Sequence, residues 1–147
     1  MSKSYYSEIN LHIVWHTKQS LSLLTPALEP IAHRLLRKRI IETPDVLLHE
    51  IGGTATHVHI AVSIPPTLTI STWVGHLKGG SSHDVNQHVG MRQKALQWQI
   101  GYGVVSFGTG DLDWVTGYIR NQKEHHGQGG VHDRLERITH DDDPPAA

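Results

Sequence analysis

The sequence predicts an α+β fold of the ferredoxin-like type, an antiparallel sheet with helices on one face plus an additional C-terminal helix. Two observations predict it. Segments of strand and helical periodicity follow one another in the order β-α-β-β-α-β and then a helix. The second and third strands are separated by only a short glycine-containing segment, which is typical of a hairpin. This order is that of the split β-α-β arrangement, in which all strands form one sheet.

The first half of the chain supplies a strand, a helix and the hairpin. Residues 5–17 alternate apolar and polar side chains, which predicts a half-buried strand with one polar face. Residues 25–41 have helical periodicity, with Thr25 as the expected N-cap. Residues 46–52 and 56–64 predict two strands joined by a tight turn.

The second half supplies another helix, a strand and the C-terminal helix. An amphipathic pattern begins at the expected cap Thr69 and ends near residues 79–80, a glycine pair, so a short helix is predicted there. Residues 84–96 are polar and predict a loop with some helix. Residues 96–108 predict a strand whose glycines indicate a bulge or a close backbone contact. Residues 111–126 predict the last helix.

Length and composition limit the classes of protein. The 147 residues fit one domain, which we assign to residues 1–135, and the acidic Pro/Ala-containing residues 136–147 predict a disordered tail. The absence of cysteine excludes disulfides and thiolate metal sites and suits a reducing cytoplasm. No signal peptide is expected, and no apolar run approaches the roughly 18 residues that span a membrane. A net charge of −1 disfavours a non-specific nucleic-acid binder.

The stretch "GGTATHVHIAVSIPP" contains a candidate metal site. His57 and His59 are two apart on a predicted strand, so their side chains share a face, and the opposite face carries the apolar residues of the core. Their backbones are about 7 Å apart on strand geometry, so both imidazoles can converge on one ion. The alternative is two solvent-facing histidines. With 13 histidines in 147 residues, about one His-x-His triplet is expected by chance.

The stretch "YIRNQ" in the last predicted helix offers a second group of candidates. Tyr118 and Gln122 are four residues apart, so they share a helical face. The glutamine carbonyl is a hard oxygen donor that suits Mg²⁺ or Mn²⁺, and the tyrosine is a possible nucleophile beside such an ion. The alternative is that Tyr118 packs the helix on the sheet while Gln122 lies on the surface.

Four blocks of the chain together resemble a known family. "THVHIAVSIPP", "STWVGHLKGGSS", "WQIGYGVVSFG" and "YIRNQKEHH" resemble, in this order, the small single-tyrosine HUH transposases of bacterial insertion sequences. The resemblance covers roughly residues 5–126. It implies a cytoplasmic, nucleoid-associated homodimer that cleaves and rejoins single-stranded DNA, with hairpins at the ends of its element as partners.

The resemblance also implies roles for individual residues. His57 and His59 match the two metal histidines, Gln122 the third ligand and Tyr118 the nucleophile that forms a 5′-phosphotyrosine bond. The implied cofactor is Mg²⁺ or Mn²⁺. In the family, the tyrosine helix of one subunit often completes the partner's site, so action in trans is implied.

This sequence departs from the family pattern at two places. Thr56 stands where relatives often have an acidic residue, which predicts weaker metal binding. The region after the second helix is less basic than in relatives. DNA contacts are assigned to residues of the basic cluster on the first helix and of the polar face of the second helix. They are Arg34, Arg37, Lys38, His76, Lys78 and Ser81.

Two other functions fit parts of the sequence. A metal-dependent nuclease or hydrolase would use the histidine pair to activate water and would form no covalent adduct. A non-catalytic DNA-binding relative would keep the fold alone. The presence of Tyr118 beside Gln122 favours the transposase, and the lack of a strong basic patch keeps the DNA-binding alternative open.

Overall fold

The computed structural model describes residues 4–90, 95–124 and 132–138. The strands are β1 (Ile9–His16), β2 (Leu47–Gly53), β3 (His57–Ile64) and β4 (Gly103–Phe107), and the named helices are α1 (Glu29–Ile41), α2 (Ile70–Val89), α3 (Leu112–Arg120) and α4 (Asp133–Glu136). Neighbouring strands pair antiparallel in the order β2-β3-β1-β4. The predicted ferredoxin-like α+β fold is thereby confirmed.

One face of the sheet forms the main core under α1 and α2. Ile13 of β1 lies opposite Ile60 of β3, and both side chains are fully buried. Alternate residues of the same two strands continue this apolar face, as the periodicity predicted. Leu36 and Ile40 of α1 pack on it from outside the sheet. The remaining contributors are Leu11, Trp15, Ile51, Val58, Val62, Ile64, Trp73, Val74 and Leu77.

The opposite face of the sheet is also covered, which the prediction of a half-buried first strand missed. Val115 and Ile119 of α3 pack against Ala61 at the centre of β3, and α4 lies against β1 and β4. Polar residues on this face, including Asn10 and His12, are therefore buried at 5% and 1% exposure. The candidate site lies in this second layer.

The second helix is longer than predicted. It continues through the glycine pair at 79–80 and ends at Gly90, whose φ of 64° is the left-handed conformation of a C-cap. Ser81 and Val85 extend the buried stripe beyond Leu77, so packing outweighs the low helix propensity of glycine. Of residues 84–96, for which a loop with some helix is predicted, residues 84–89 are helical.

The first predicted helix is shorter than expected, and the last one is interrupted by a turn. The first begins at Glu29, and Thr25 instead accepts a hydrogen bond from the backbone N–H of Leu28 in the turn before it. The last one ends at Arg120, a turn follows at Asn121, and residues 122–124 are helical again. The predicted end at residue 126 lies outside the described residues.

The fourth strand is also shorter than predicted, with five residues from Gly103 to Phe107. The expectation of a close backbone contact at its glycines is met at Gly103, where a Cβ atom would collide with the backbone carbonyl of Arg137. Over the described parts of the chain, no helix is both long and apolar enough to cross a membrane.

Candidate active site

The two histidines of β3 lie side by side in the covered layer. His57 and His59 are 4% and 0% exposed, and their ring centroids are 5.0 Å apart. Strand alternation directs both rings away from the main core, as the periodicity predicted. They do not face solvent, however, because α3 and α4 cover this side of the sheet.

The outer nitrogen of each imidazole has a hydrogen-bond partner. Nδ1 of His57 lies 3.0 Å from both the Thr54 and the Thr56 hydroxyl oxygens. Nδ1 of His59 lies 2.7 Å from Nε2 of His12, which is on the neighbouring strand β1. These contacts fix both ring orientations, so the two Nε2 atoms point towards the same side of the pair.

His12 is held in its neutral form. Burial, followed by the charge of His59, lowers the pKa of His12 to about 3. A neutral His12 ring can accept a proton donated by Nδ1 of His59. This contact directs Nε2 of His59 towards the centre of the site.

Glu136 of α4 faces both histidines. Its carboxylate oxygens lie 3.0 Å from Nε2 of His59 and 3.7 Å from Nε2 of His57, and its side chain is 15% exposed. Burial alone raises the pKa of the Glu136 carboxyl, but hydrogen bonds from the two histidines and their charges outweigh burial and hold it well below its usual range. Glu136 is therefore a carboxylate.

Sequence reasoning missed both His12 and Glu136. His12 was placed on the polar face of the first strand, and Glu136 was placed at the start of the tail. The predicted domain boundary at residue 135 separates Leu135 from Glu136, although both lie on α4. The single sequence signal for Glu136 was the short helical pattern around the buried Leu135.

The donor set at this point fits a divalent cation. The ligand atoms of His57, His59 and Glu136 all lie within 4.8 Å of one another. Two imidazole nitrogens and one carboxylate are ligands that Mn²⁺, Fe²⁺ and Zn²⁺ accept.

Tyr118 of α3 borders the same centre. Its ring centroid is 6.2 Å from that of His59, and its hydroxyl oxygen accepts a 2.8 Å hydrogen bond from the backbone N–H of His132. The pKa of Tyr118 is raised: burial contributes most, the His132 hydrogen bond opposes it, and the charge of Glu136 reinforces it. Proton loss from this phenol therefore needs help from its surroundings.

Gln122 lies one turn beyond Tyr118 and is 1% exposed. Its amide nitrogen donates to the Tyr118 backbone carbonyl at 3.4 Å, and its side chain hydrogen bonds to the Tyr118 hydroxyl, which lowers the pKa of that tyrosine. The surface alternative is therefore wrong for Gln122. The structure thus brings Tyr118 and Gln122 into contact, with the Tyr118 ring near His59.

The predicted DNA-contacting residues fall into two groups. The exposed group lies on α1 and α2, on the sheet face opposite the histidine pair, and consists of Arg34, Arg37, Lys38 and His76. The other group has structural partners. Lys78 donates to the carbonyls of Gln99 and Gly101 at 2.6 and 2.8 Å. Ser81 is fully buried and accepts a hydrogen bond from the Trp98 indole. The DNA contacts of these six residues stay a prediction.

Comparisons with known proteins match most of this chain. The family model described as IS200-like transposase matches residues 5–122. Transposases for insertion sequence element IS200 from Salmonella typhimurium and Salmonella typhi are each 32% identical over 95 residues, covering 61% of this chain and 60% of each relative. The match thus spans about three fifths of the length of these curated relatives.

Two solved structures share the fold. A crystal structure of a candidate transposase from Deinococcus radiodurans has a TM-score of 0.64 at 21% identity, covering 83% of this chain and 96% of that chain. The structure of a REP-associated tyrosine transposase bound to a REP hairpin has a TM-score of 0.59 at 15% identity, covering 89% and 75%. At these identities the likeness concerns the fold alone.

Proposed function

The chain belongs to the IS200-like transposase family, and on that premise we propose that it cleaves and rejoins single-stranded DNA at insertion-sequence ends. The observation that carries the proposal is the position of Tyr118. Its hydroxyl lies in the same buried layer as the histidine pair, and its ring is 6.2 Å from His59. This position supports Tyr118 as the nucleophile, beside groups that would hold a phosphate-binding cation.

The proposed reaction transfers the scissile phosphate of the DNA from the 3′ oxygen to the Tyr118 hydroxyl oxygen. The Tyr118 hydroxyl oxygen attacks the scissile phosphorus, the bond from phosphorus to the 3′ oxygen breaks, and a 5′-phosphotyrosine and a 3′-hydroxyl result. The phenolic proton passes to a base or to water. The phosphotyrosine bond conserves the energy of the cleaved phosphodiester bond. A 3′-hydroxyl can therefore attack it in the reverse reaction and rejoin the DNA.

Two groups near Tyr118 affect this step in opposite directions. The Gln122 amide favours the phenolate, because it donates to the hydroxyl oxygen, whereas hydrogen bonding to Glu136 favours the protonated phenol. Burial adds to the second effect. The resting site therefore holds a protonated tyrosine, and the incoming DNA or cation must shift this balance before attack.

A divalent cation, Mg²⁺ or Mn²⁺, belongs to the proposal. His57 and His59 would hold it, with Gln122 as the third ligand according to the family pattern. When bound, it supplies Lewis-acid stabilisation of charge on the phosphate oxygens.

The proposed substrate is single-stranded DNA, with a hairpin at the element ends. Arg34, Arg37 and Lys38 are exposed and suit phosphate contacts. Because they lie across the sheet from Tyr118, a hairpin bound there would have to pass its single-stranded flank around the sheet edge. We place this activity in the cytoplasm with the nucleoid. The proposed partner is a second copy of the chain, although one chain alone already brings Tyr118 to its own histidine pair.

The test is an adduct assay with labelled single-stranded DNA from the ends of the element and Mn²⁺ or Mg²⁺, resolved on a denaturing gel. We expect a covalent protein–DNA band that requires the cation and disappears in Tyr118→Phe, which removes only the hydroxyl. Tyr102→Phe is the matched control, because Tyr102 packs against the main core and should keep the band. An adduct that survives Tyr118→Phe would refute the mechanism.

A hydrolytic nuclease is the second candidate function. The raised pKa of Tyr118 favours it, since a cation on the histidine pair can activate water without a phenolate. Cleavage that persists in Tyr118→Phe without any adduct would identify this activity. DNA binding without cleavage would instead identify a non-catalytic relative.

A further inference from the structure

We infer that Glu136 is a ligand of the metal ion, so that the site is made of two imidazoles and one carboxylate delivered by α4. This inference rests on the metal site of the proposed function and changes its composition. The family pattern assigns the third position to Gln122, which is on a different helix. In this chain, Glu136 faces Nε2 of both histidines.

The first argument is geometric. The Nδ1 atoms of His57 and His59 are engaged by Thr54, Thr56 and His12, so both rings present Nε2 towards Glu136. One carboxylate oxygen of Glu136 lies 3.0 Å from Nε2 of His59, and the other lies 3.7 Å from Nε2 of His57. Metal-binding imidazoles typically have this arrangement, with one nitrogen facing inward and the other held by an outer partner.

The second argument concerns charge. Glu136 is a largely buried anion, and burying an anion is costly unless an opposite charge compensates it. Without a cation, the hydrogen bonds and charges of His57 and His59 stabilise this carboxylate. A divalent cation between the three groups would compensate the carboxylate and use the Nε2 lone pairs at the same time.

The third argument is that contacts with the sheet hold α4 in the position that brings Glu136 to the histidines. Leu135 is 3% exposed, and the Arg134 guanidinium donates to the Ser106 carbonyl of β4 at 2.8 Å. On the other side of Glu136, the Arg137 carbonyl lies so close to Gly103 that any side chain there would collide with it. Contacts on both sides therefore fix the position of a helix that has only four residues.

Gln122 has a different set of contacts. Its amide group hydrogen bonds to the backbone carbonyl and the hydroxyl of Tyr118. We assign it the positioning of the tyrosine, and we assign the third ligand position to Glu136. Two imidazoles and a carboxylate also favour Mn²⁺ or Fe²⁺ over Mg²⁺, which prefers oxygen ligands alone.

The experiment is isothermal titration calorimetry, in which Mn²⁺ is titrated into the full chain in the absence of DNA. We expect Glu136→Gln, which keeps size and shape, to weaken Mn²⁺ binding at least tenfold, and Gln122→Ala to change it less than threefold. Asp133→Asn is the matched control on the same helix, because the Asp133 side chain is 84% exposed and should leave binding unchanged. Circular dichroism without metal checks that each variant folds, and Glu136→Asp should bind with intermediate affinity.

Each outcome decides the assignment. Unchanged or tighter Mn²⁺ binding by Glu136→Gln would overturn it and would show that the carboxylate competes with the metal for the histidines. If His57→Ala abolishes binding while Glu136→Gln does not, the metal site of the proposed function stands and the Glu136 assignment fails. If the parent chain binds no Mn²⁺, both fail.

Discussion

At the scale of single residues, the two histidines are held by groups of different chemistry. A neutral imidazole, His12, holds His59, whereas the Thr54 and Thr56 hydroxyls hold His57. A carboxylate in such a position raises the basicity of the imidazole because it is charged, and a hydroxyl orients the ring without that effect. Thr56 therefore orients the His57 ring, as an acidic residue would, but does not raise its basicity.

Substitution of Thr56 tests this division. Thr56→Asp places an anion beside Nδ1 of His57 and should strengthen Mn²⁺ binding by about tenfold, whereas Thr56→Val removes the hydrogen bond and should weaken it. Titration calorimetry measures both changes, with circular dichroism as the check on folding. Equal affinities in the two variants would show that the residue at this position has no influence on the metal.

The site residues that the sequence predicts are related by local periodicity, whereas those that it does not predict are related by long-range contacts. His57 with His59, and Tyr118 with Gln122, are neighbours along one strand and along one helical face, so periodicity alone places each pair. His12 and Glu136 reach the histidines only through strand pairing and the docking of α4. Contacts between residues so far apart in the chain leave no local pattern, which is why both were missed.

At the scale of elements, α2 shows how a tertiary contact overrides a local signal. The glycine pair at 79–80 suggested a helix end, yet the helix continues to Val89. A Cβ atom at Gly80 would meet the Arg39 guanidinium, so this flexible side chain would have to shift. Arg39 in turn donates two hydrogen bonds to Asp84, at 2.6 and 3.0 Å, and so ties α1 to α2. The absence of a side chain at Gly80 therefore leaves room for Arg39 in this position.

The two adjacent glycines should respond differently to alanine. Gly79→Ala, with nothing within 4 Å of the added Cβ, should raise the free energy of unfolding by about 0.5–1 kcal/mol, since alanine is the better helix former. Gly80→Ala should lose that gain because it displaces Arg39, and a partly exposed ion pair contributes about 0.2–1 kcal/mol. Urea unfolding of both variants near neutral pH measures the difference. Equal stabilisation would contradict this role of Arg39.

The pH dependence of the free energy of unfolding provides a control for the same two variants. Hydrogen bonding to Arg39 is the main cause that lowers the pKa of Asp84 below 3.8, against an opposing effect of burial. A carboxyl whose pKa is lower in the folded state stabilises the fold above the unfolded pKa and loses that contribution as the pH falls through the folded pKa. The difference between Gly79→Ala and Gly80→Ala should therefore shrink below pH 3.8.

At the scale of the whole molecule, the sheet separates two layers with different roles. The layer under α1 and α2 is apolar and could be predicted from strand alternation, because each strand carries its own part of the pattern. The layer under α3 and α4 is built from polar strand residues, which the sequence indicates as solvent-facing. Their burial depends on two helices from the C-terminal part of the chain, and this arrangement also creates the candidate active site.

This arrangement bears directly on the prediction that two subunits complete each other's sites. In the single chain, Tyr118 contacts groups that belong to its own site: its ring lies beside His59, and its hydroxyl bonds to His132. We therefore expect each chain to act in cis. The test mixes His57→Ala with Tyr118→Phe, two variants that each lack one half of the proposed machinery.

If the site acts in cis, the mixture should form no covalent DNA adduct, because no chain contains both the histidine pair and the tyrosine. Mixtures of each variant with the parent chain should retain the adduct in proportion to the parent present. An adduct that appears only when the two variants are combined would contradict the cis arrangement. It would mean that the tyrosine helix exchanges between subunits, and that the Tyr118 contacts seen within one chain form between two chains in the active enzyme.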